Sequence, residues 1–178
     1  RSYSDESLRI ALDNNLTIMA GSDVHKLVDH EYKVAEGGHR PITIVFAKEK
    51  TIEAVQEGLQ NRRTVVFYNN LLIGRDEWLV PLLEASLKIK SAKYPERNDV
   101  AIVEIENLTS CDFILQNKTS YTLHDHADVI TIKAGEVKTI RVKTVNRLDN
   151  LELKWEVLSA VNAPNRHPQI TLKAALTK

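Results

Sequence analysis

A change in hydrophobic periodicity near residue 88 most strongly limits what this chain can fold into. Before it, helical and extended apolar patterns alternate; after it, β-branched runs separated by turn residues take over. The clearest run is Leu151-Glu152-Leu153-Lys154-Trp155-Glu156-Val157, which alternates apolar and polar residues almost without interruption. Such alternation places every second side chain on one face of a strand. We therefore predict an α/β part followed by an all-β part.

The second half of the chain has the pattern of a small β domain. Alternating or β-branched runs occur at residues 101–107, 130–132, 137–142, 151–157 and 170–174. Six or seven short strands in about ninety residues are typical of an immunoglobulin-like β-sandwich. We predict a sandwich domain over residues 100–178 and a linker over residues 91–99, which contains Pro95 and several charged residues.

The first half alternates helical and extended segments. Ser4 is a candidate N-cap for a first helix, with acidic residues in its first turn where the helix dipole favours them. Residues 16–20 form an apolar strand pattern, and residues 42–47 form another. Thr51 is placed to cap a helix with Ile52, Val55 and Leu59 on one apolar face. The Asn69-Asn70 pair between two β-rich runs indicates a hairpin, because asparagine tolerates positive φ.

Two potential metal ligands stand at the end of the first strand pattern, in the run Leu16-Thr17-Ile18-Met19-Ala20-Gly21-Ser22-Asp23-Val24-His25. If the strand continued through that end, the side chains of Asp23 and His25 would share one face. A carboxylate and an imidazole are ligands that zinc, manganese and iron accept. The alternative role for Asp23 is a carboxylate that caps the following turn.

This motif and the runs after it resemble a known family. The later runs are Gly38-His39-Arg40-Pro41-Ile42-Thr43-Ile44-Val45-Phe46-Ala47-Lys48-Glu49, then Glu53-Ala54-Val55-Gln56-Glu57-Gly58-Leu59-Gln60-Asn61-Arg62-Arg63-Thr64, and Leu72-Ile73-Gly74-Arg75. Together they resemble the C-terminal part of the PHP (polymerase and histidinol phosphatase) superfamily, in particular its bacterial Sb-PDE-like phosphodiesterases. The resemblance covers roughly residues 1–90 and is weaker beyond them.

The resemblance implies that residues 1–90 are the C-terminal portion of a distorted (β/α) PHP barrel, with Asp23 and His25 as ligands of a divalent metal cluster of Zn, Mn or Fe. PHP sites begin with a His-x-His motif and add further His, Glu and Asp ligands before the Asp-x-His, but none of these precedes residue 16. We therefore expect a C-terminal fragment that holds an incomplete metal site and is inactive alone. Its partner would be the N-terminal remainder of the same barrel.

Two further histidine motifs have competing interpretations. His39 and Arg40 are candidates for binding a phosphate-ester substrate, because an arginine fork matches phosphate oxygens bidentately. The alternative is a loop anchor with a surface salt bridge. His124-Asp125-His126 repeats the His-x-His spacing, but it lies within the predicted sandwich and after the Asp-x-His motif. Strand alternation or a turn accounts for it, and we predict no metal site there.

Composition narrows the possible partners. The 24 Lys and Arg residues balance the 24 Asp and Glu residues, so no basic field indicates nucleic acid. No apolar run approaches the length of a membrane span. Cys111 is the only cysteine, which excludes an internal disulfide and a thiolate metal cluster. The sequence indicates no compartment, although the resemblance is compatible with a periplasmic or extracytoplasmic location.

Two functions from different classes follow from these observations. In the first, the chain is the end of a metal-dependent phosphoesterase, in particular a phosphodiesterase, which hydrolyses a small phosphate ester with metal-activated water. In the second, it belongs to a non-catalytic binding or structural protein with a degenerate PHP barrel and an adhesion-type β-sandwich. Metal content of the full-length protein separates the two.

Overall fold

The computed structural model describes residues 3–95 and 99–177, which form two compact units. The first unit contains the residues up to Leu79 together with Ala160–Arg166, and the second contains Val80–Ser159 and the residues from His167 onward. Within the described ranges, no helix combines the length and the apolar character that crossing a bilayer requires.

The helices and strands up to residue 86 are mainly short. The helices are α1 (Asp5–Asp13), α2 (Val28–Tyr32), a 3-10 turn (Val34–Glu36), α3 (Ile52–Gln60) and α4 (Asp76–Ser86); the strands are β1 (Ile42–Val45), β2 (Thr64–Tyr68) and β3 (Leu71–Gly74). The predicted caps are confirmed, since Ser4 accepts a hydrogen bond from the Ser7 amide and Thr51 accepts one from the Ala54 amide.

The remaining elements are all strands. They are β4 (Leu87–Lys93), β5 (Val100–Asn107), β6 (Phe113–Asn117), β7 (Thr122–Leu123), β8 (Val129–Ile132), β9 (Val137–Lys143), β10 (Asn150–Val157), β11 (Ala160–Val161) and β12 (Gln169–Ala175). The predicted linker over 91–99 overlaps β4 at its start and includes residues 96–98, which lie outside the described residues. The predicted domain boundaries stay a prediction.

The second unit consists mainly of two four-stranded sheets, ordered β12-β10-β6-β8 and β4-β5-β9-β7. All strand pairs within these two sheets are antiparallel. The predicted alternation is confirmed in both, because Val103 and Ile105 of β5 and Leu153 and Trp155 of β10 are fully buried. The apolar faces of the sheets therefore supply the core of this unit.

The first unit has one four-stranded sheet, ordered β1-β2-β3-β11. Its first three strands are antiparallel neighbours, and only the short β11 pairs in parallel with β3. Asn69 and Asn70, both with positive φ, turn the chain directly from β2 into β3, so the predicted hairpin is confirmed. The apolar cluster of this unit is small; its buried members are Leu8, Val66, Ile73 and Val161.

The prediction of an α/β part built as a portion of a (β/α) PHP barrel is wrong. The described chain is mostly β-sheet with few helices, and no (β/α) barrel is evident. A barrel of this kind requires parallel strands joined by crossover helices. Here the two-residue Asn69-Asn70 turn forces β2 and β3 to be antiparallel, and residues 16–20, predicted as a barrel strand, belong to no sheet.

The apolar face predicted for α3 is not the face that packs. The buried residues of this helix are Ala54 and Gly58, whereas Ile52 is 72% exposed. A Cβ added at Gly58 would lie 2.7 Å from Cγ1 of Val45 in β1. Helix and strand thus approach too closely for a larger side chain, and the small residues face the sheet.

Candidate functional site

The segment that leads to Asp23 belongs to no strand and is held by side chains. The backbone groups of residues 17–22 form no hydrogen bond with other backbone groups of the described chain. The strand predicted over residues 16–20 is therefore absent. Polar side chains from other elements bond to its backbone instead. These bonds join Arg75 Nη2 to Leu16 O (3.0 Å), Thr64 Oγ1 to Ile18 O (2.7 Å), Thr43 Oγ1 to Ala20 N (3.1 Å) and Tyr32 Oη to Ser22 O (2.7 Å).

Asp23 and His25 are brought together, although not by a continuing strand. Asp23 has a φ of 52°, in the left-handed region, so the chain turns at this residue. The turn places His25 Nδ1 2.8 Å from the Asp23 carbonyl oxygen and 4.0 Å from Asp23 Oδ1. Aspartate is among the few residues that adopt this conformation readily. The predicted pairing thus arises from a turn rather than from strand alternation.

The hydrogen bond to Asp23 determines which imidazole nitrogen can act as a ligand. A carbonyl oxygen only accepts, so in the neutral ring Nδ1 carries the proton and the lone pair lies on Nε2. A backbone carbonyl that orients the opposite ring nitrogen is the usual arrangement around metal-bound histidines. The His25 side chain is 80% exposed and that of Asp23 is 68% exposed. Both side chains are therefore accessible to a metal ion.

Asp23 and His25 line a cleft of about 890 Å³ in the first unit. Ile18, Val66 and Ile73 supply part of its apolar lining. Two tyrosines, Tyr32 and Tyr68, also line it, and their rings meet edge to face with centroids 6.3 Å apart. The cleft thus combines polar donors at its rim with apolar and aromatic surface, as small-molecule sites commonly do.

His39 and Arg40 are not lining residues of this cleft, although His39 contacts Tyr68, which is one. The His39 ring stacks on Phe67, with centroids 4.9 Å apart, and contacts Tyr68 edge-on. Its Nδ1 bonds to the Arg40 carbonyl oxygen over 2.8 Å. Neither residue is among those lining the cleft with Asp23. This arrangement matches the alternative of a loop anchor for His39, while substrate binding by the pair stays a prediction.

The His124-Asp125-His126 motif forms a polar cluster in the second unit. Asp125 contacts His124 Nδ1 at 2.5 Å and Arg141 Nη1 at 3.0 Å. The hydrogen bond from His124, and then the charge of Arg141, lower the pKa of the Asp125 carboxyl. Among residues 3–95 and 99–177, no group of three or more His, Cys, Asp or Glu side chains could hold a metal ion.

Sequence reasoning did not find Tyr32, Tyr68 or the residues that anchor the extended segment. Their partners are distant along the chain: 10 residues separate Tyr32 from Ser22, and 59 separate Arg75 from Leu16. A threonine or an arginine that bonds to a remote carbonyl has no local periodic signal. Only the position of Tyr32 shortly after the Asp-x-His motif could have indicated a role near it.

Comparisons with known proteins found a family match and a solved structure that resembles this chain. A family described as an Ig-like domain matches residues 87–173, which agrees with the predicted β-sandwich. A crystal structure of a two-domain protein from Bacteroides vulgatus, containing a predicted PHP-like metal-dependent phosphoesterase, matches with 30% identity and a TM-score of 0.83. No curated protein gives a significant match.

The match to the two-domain protein is unequal in its coverage. It includes 97% of this chain but 50% of that protein, so the chain spans about half the length of its structural relative. The likeness therefore extends over nearly all of the present sequence.

Proposed function

We propose that this chain contributes two ligands, Asp23 and His25, to the divalent metal site of a PHP-like phosphoesterase. The observation that carries this proposal is the hydrogen bond from His25 Nδ1 to the Asp23 carbonyl oxygen, which leaves the Nε2 lone pair available to a metal ion at a cleft that Asp23 also lines. The similarity to a two-domain protein containing a predicted PHP-like metal-dependent phosphoesterase supports it.

The donor chemistry fits such a metal. An anionic carboxylate and a neutral imidazole suit Zn, Mn and Fe, and their exposure leaves them accessible. Two protein ligands are fewer than the three or four that zinc sites normally use. We propose that the remaining ligands come from polypeptide outside these 178 residues, which is compatible with the half coverage of the structural relative.

The proposed substrate is a small phosphate ester, and phosphodiester hydrolysis is the proposed reaction. A metal bound at such a site neutralises charge on phosphate oxygens and lowers the pKa of a water molecule. In this chain, Asp23 contributes negative charge and His25 contributes a nitrogen donor whose ring orientation is fixed by the backbone. The apolar and aromatic part of the cleft would receive the organic portion of the ester.

The decisive experiment measures metal content and activity together in the full-length protein. Asp23→Ala and His25→Ala should each lower metal content measured by ICP-MS, and should slow hydrolysis of bis-p-nitrophenyl phosphate by at least about 100-fold, more than the loss of an outer hydrogen-bond partner. Asp29→Ala and His30→Ala, which alter an exposed Asp-His pair on α2, are matched controls and should change neither quantity.

Two results would contradict the proposal. One is a wild-type protein that stays metal-free when offered Zn, Mn or Fe, which would favour a non-catalytic binding or structural role. The other is a metal-loaded wild-type protein whose metal content and activity are unaffected by both alanine variants. In that case the metal would bind elsewhere.

A further inference from the structure

Tyr32 is the side chain that holds the segment immediately before the proposed ligands. Its hydroxyl donates a hydrogen bond to the Ser22 carbonyl oxygen over 2.7 Å. Its ring meets the Tyr68 ring of β2 edge to face, at an interplanar angle of 84°. The ring contact connects Tyr32 to the sheet, and the hydroxyl connects it to the ligand segment.

Peptide geometry passes this restraint to Asp23. The Ser22 carbonyl and the Asp23 amide belong to the same planar peptide group, so fixing the oxygen also fixes the plane from which Asp23 extends. Asp23 has a φ of 52°, a conformation that an L residue adopts less readily than the right-handed or extended ones. A fixed peptide plane on the N-terminal side sets the orientation from which the turn at Asp23 starts.

The restraint continues to His25. The Asp23 carbonyl oxygen accepts the bond from His25 Nδ1, and this bond orients the imidazole. Tyr32, Ser22, Asp23 and His25 therefore form a continuous series of hydrogen bonds and rigid peptide groups. All four line the same cleft.

From this series we infer that Tyr32 is a positioning residue for the metal ligands, acting through the Ser22 carbonyl and not by touching the metal or the substrate. This inference rests on the function proposed above. It assigns to a residue outside the Asp-x-His motif the task of keeping the carboxylate and the imidazole in their observed arrangement.

The test uses Tyr32→Phe in the full-length protein, because phenylalanine keeps the ring contact with Tyr68 and removes only the hydroxyl. Isothermal titration with Mn²⁺ should show binding about 10-fold weaker than in the wild type, the loss typical of an outer hydrogen-bond partner of a metal site. The visible absorption spectrum of the Co²⁺-loaded protein should also change, since it reports ligand geometry.

Tyr94→Phe is the matched control. It removes a buried tyrosine hydroxyl that contacts Thr144 Oγ1 at 2.8 Å in the second unit. This variant should lower the melting temperature while leaving the Mn²⁺ affinity and the Co²⁺ spectrum unchanged. It thus separates a general loss of stability from a change at the ligands.

The outcomes distinguish the inference from the function on which it rests. If the wild type binds Mn²⁺ and Tyr32→Phe has the same Mn²⁺ affinity and the same Co²⁺ spectrum, the role of Tyr32 is overturned. The proposed metal site is then unaffected. A wild-type protein that binds neither ion would overturn the metal site and the positioning role together.

Discussion

The backbone is held in two different ways in the two units. In the second unit, β5 lies between β4 and β9, and its residues pair with both neighbours in antiparallel ladders. In the first unit, residues 16–22 belong to no strand, and their backbone is bound by side chains, which come from Arg75, Thr64, Thr43 and Tyr32. A ladder repeats along the whole strand, whereas side-chain anchors hold separate points. The comparison indicates that the segment that leads to Asp23 and His25 is the more weakly restrained one.

Hydrogen exchange tests this difference in backbone restraint most directly, and the largest effect is expected there. Amides of Thr17 and Met19 should exchange at least about a thousandfold faster than those of Val103 and Ile105, because ladder amides in the core open only with near-global unfolding. Exchange of the 178-residue chain followed by NMR would measure this. Equal protection of the two sets would show that residues 17–22 are paired after all.

The second largest difference between the units is expected in the free energy of unfolding after a side chain is truncated. Trp155→Ala should lower the free energy of unfolding by about 3–5 kcal/mol, because it removes a large, fully buried side chain. Ile52→Ala in the first unit should change it by less than about 0.5 kcal/mol, since Ile52 is 72% exposed. Urea denaturation would measure both. A large loss in Ile52→Ala would mean that the outer face of α3 is covered.

The close packing of α3 against β1 in the first unit can be tested by adding a methyl group at Gly58. Gly58→Ala places a Cβ 2.7 Å from Val45 Cγ1. Overpacking of about 1–3 kcal/mol should exceed the helix-propensity gain of about 1 kcal/mol, giving a net loss of about 1 kcal/mol in unfolding free energy.

Gly21→Ala is the control for that substitution. No atom lies within 4 Å of the added Cβ, and the φ of Gly21 is not positive. Its thermal stability should equal or slightly exceed that of the wild type, by at most about 1 kcal/mol. If both alanine variants proved equally neutral, the tight contact between α3 and β1 would be refuted.

The smallest effect should come from an exposed ion pair of the second unit. The Lys133 ammonium, 2.7 Å from Asp112 Oδ2, and then the Ala134 amide lower the pKa of the Asp112 carboxyl. A carboxyl whose folded pKa lies below its unfolded value stabilises the fold above the unfolded pKa of about 3.9, and this contribution is lost as pH falls through the folded pKa.

Asp112→Asn should therefore be less stable than the wild type near pH 6, and this difference should shrink as the pH falls below about 4. Urea denaturation at several pH values would follow it. A difference that grows towards acid would have the wrong sign for this ion pair.

Sequence patterns predicted the second unit well. The strands expected at 101–107, 130–132, 137–142, 151–157 and 170–174 are observed within about a residue at each end, a difference within the usual uncertainty of strand boundaries. In a strand that buries one face, apolar and polar residues alternate, so the strand can be predicted from its own sequence. The match to an Ig-like domain over residues 87–173 agrees with this.

The same reasoning was less successful in the first unit. Residues 16–20 have a strand composition but no ladder partner, and the buried residues of α3 are Ala54 and Gly58, whereas Ile52 and Val55 are exposed and Leu59 is half-buried. Hydrophobicity cannot reveal that a sheet approaches too closely for anything but small side chains. The Asp23–His25 pair was predicted, yet the turn that joins the two residues depends on a φ value that no periodicity encodes.

Because the segment that leads to Asp23 and His25 is anchored from several separate parts of the unit, its geometry cannot be moved by copying the motif alone. A short graft of residues 22–25 into another protein would carry the carboxylate and the imidazole but not Tyr32. A longer graft of residues 16–32 would still lack Thr43, Thr64 and Arg75, whose bonds to the segment arrive from β1, β2 and the residue after β3. For the designer of a new site, the smallest transferable part is the unit and not the motif.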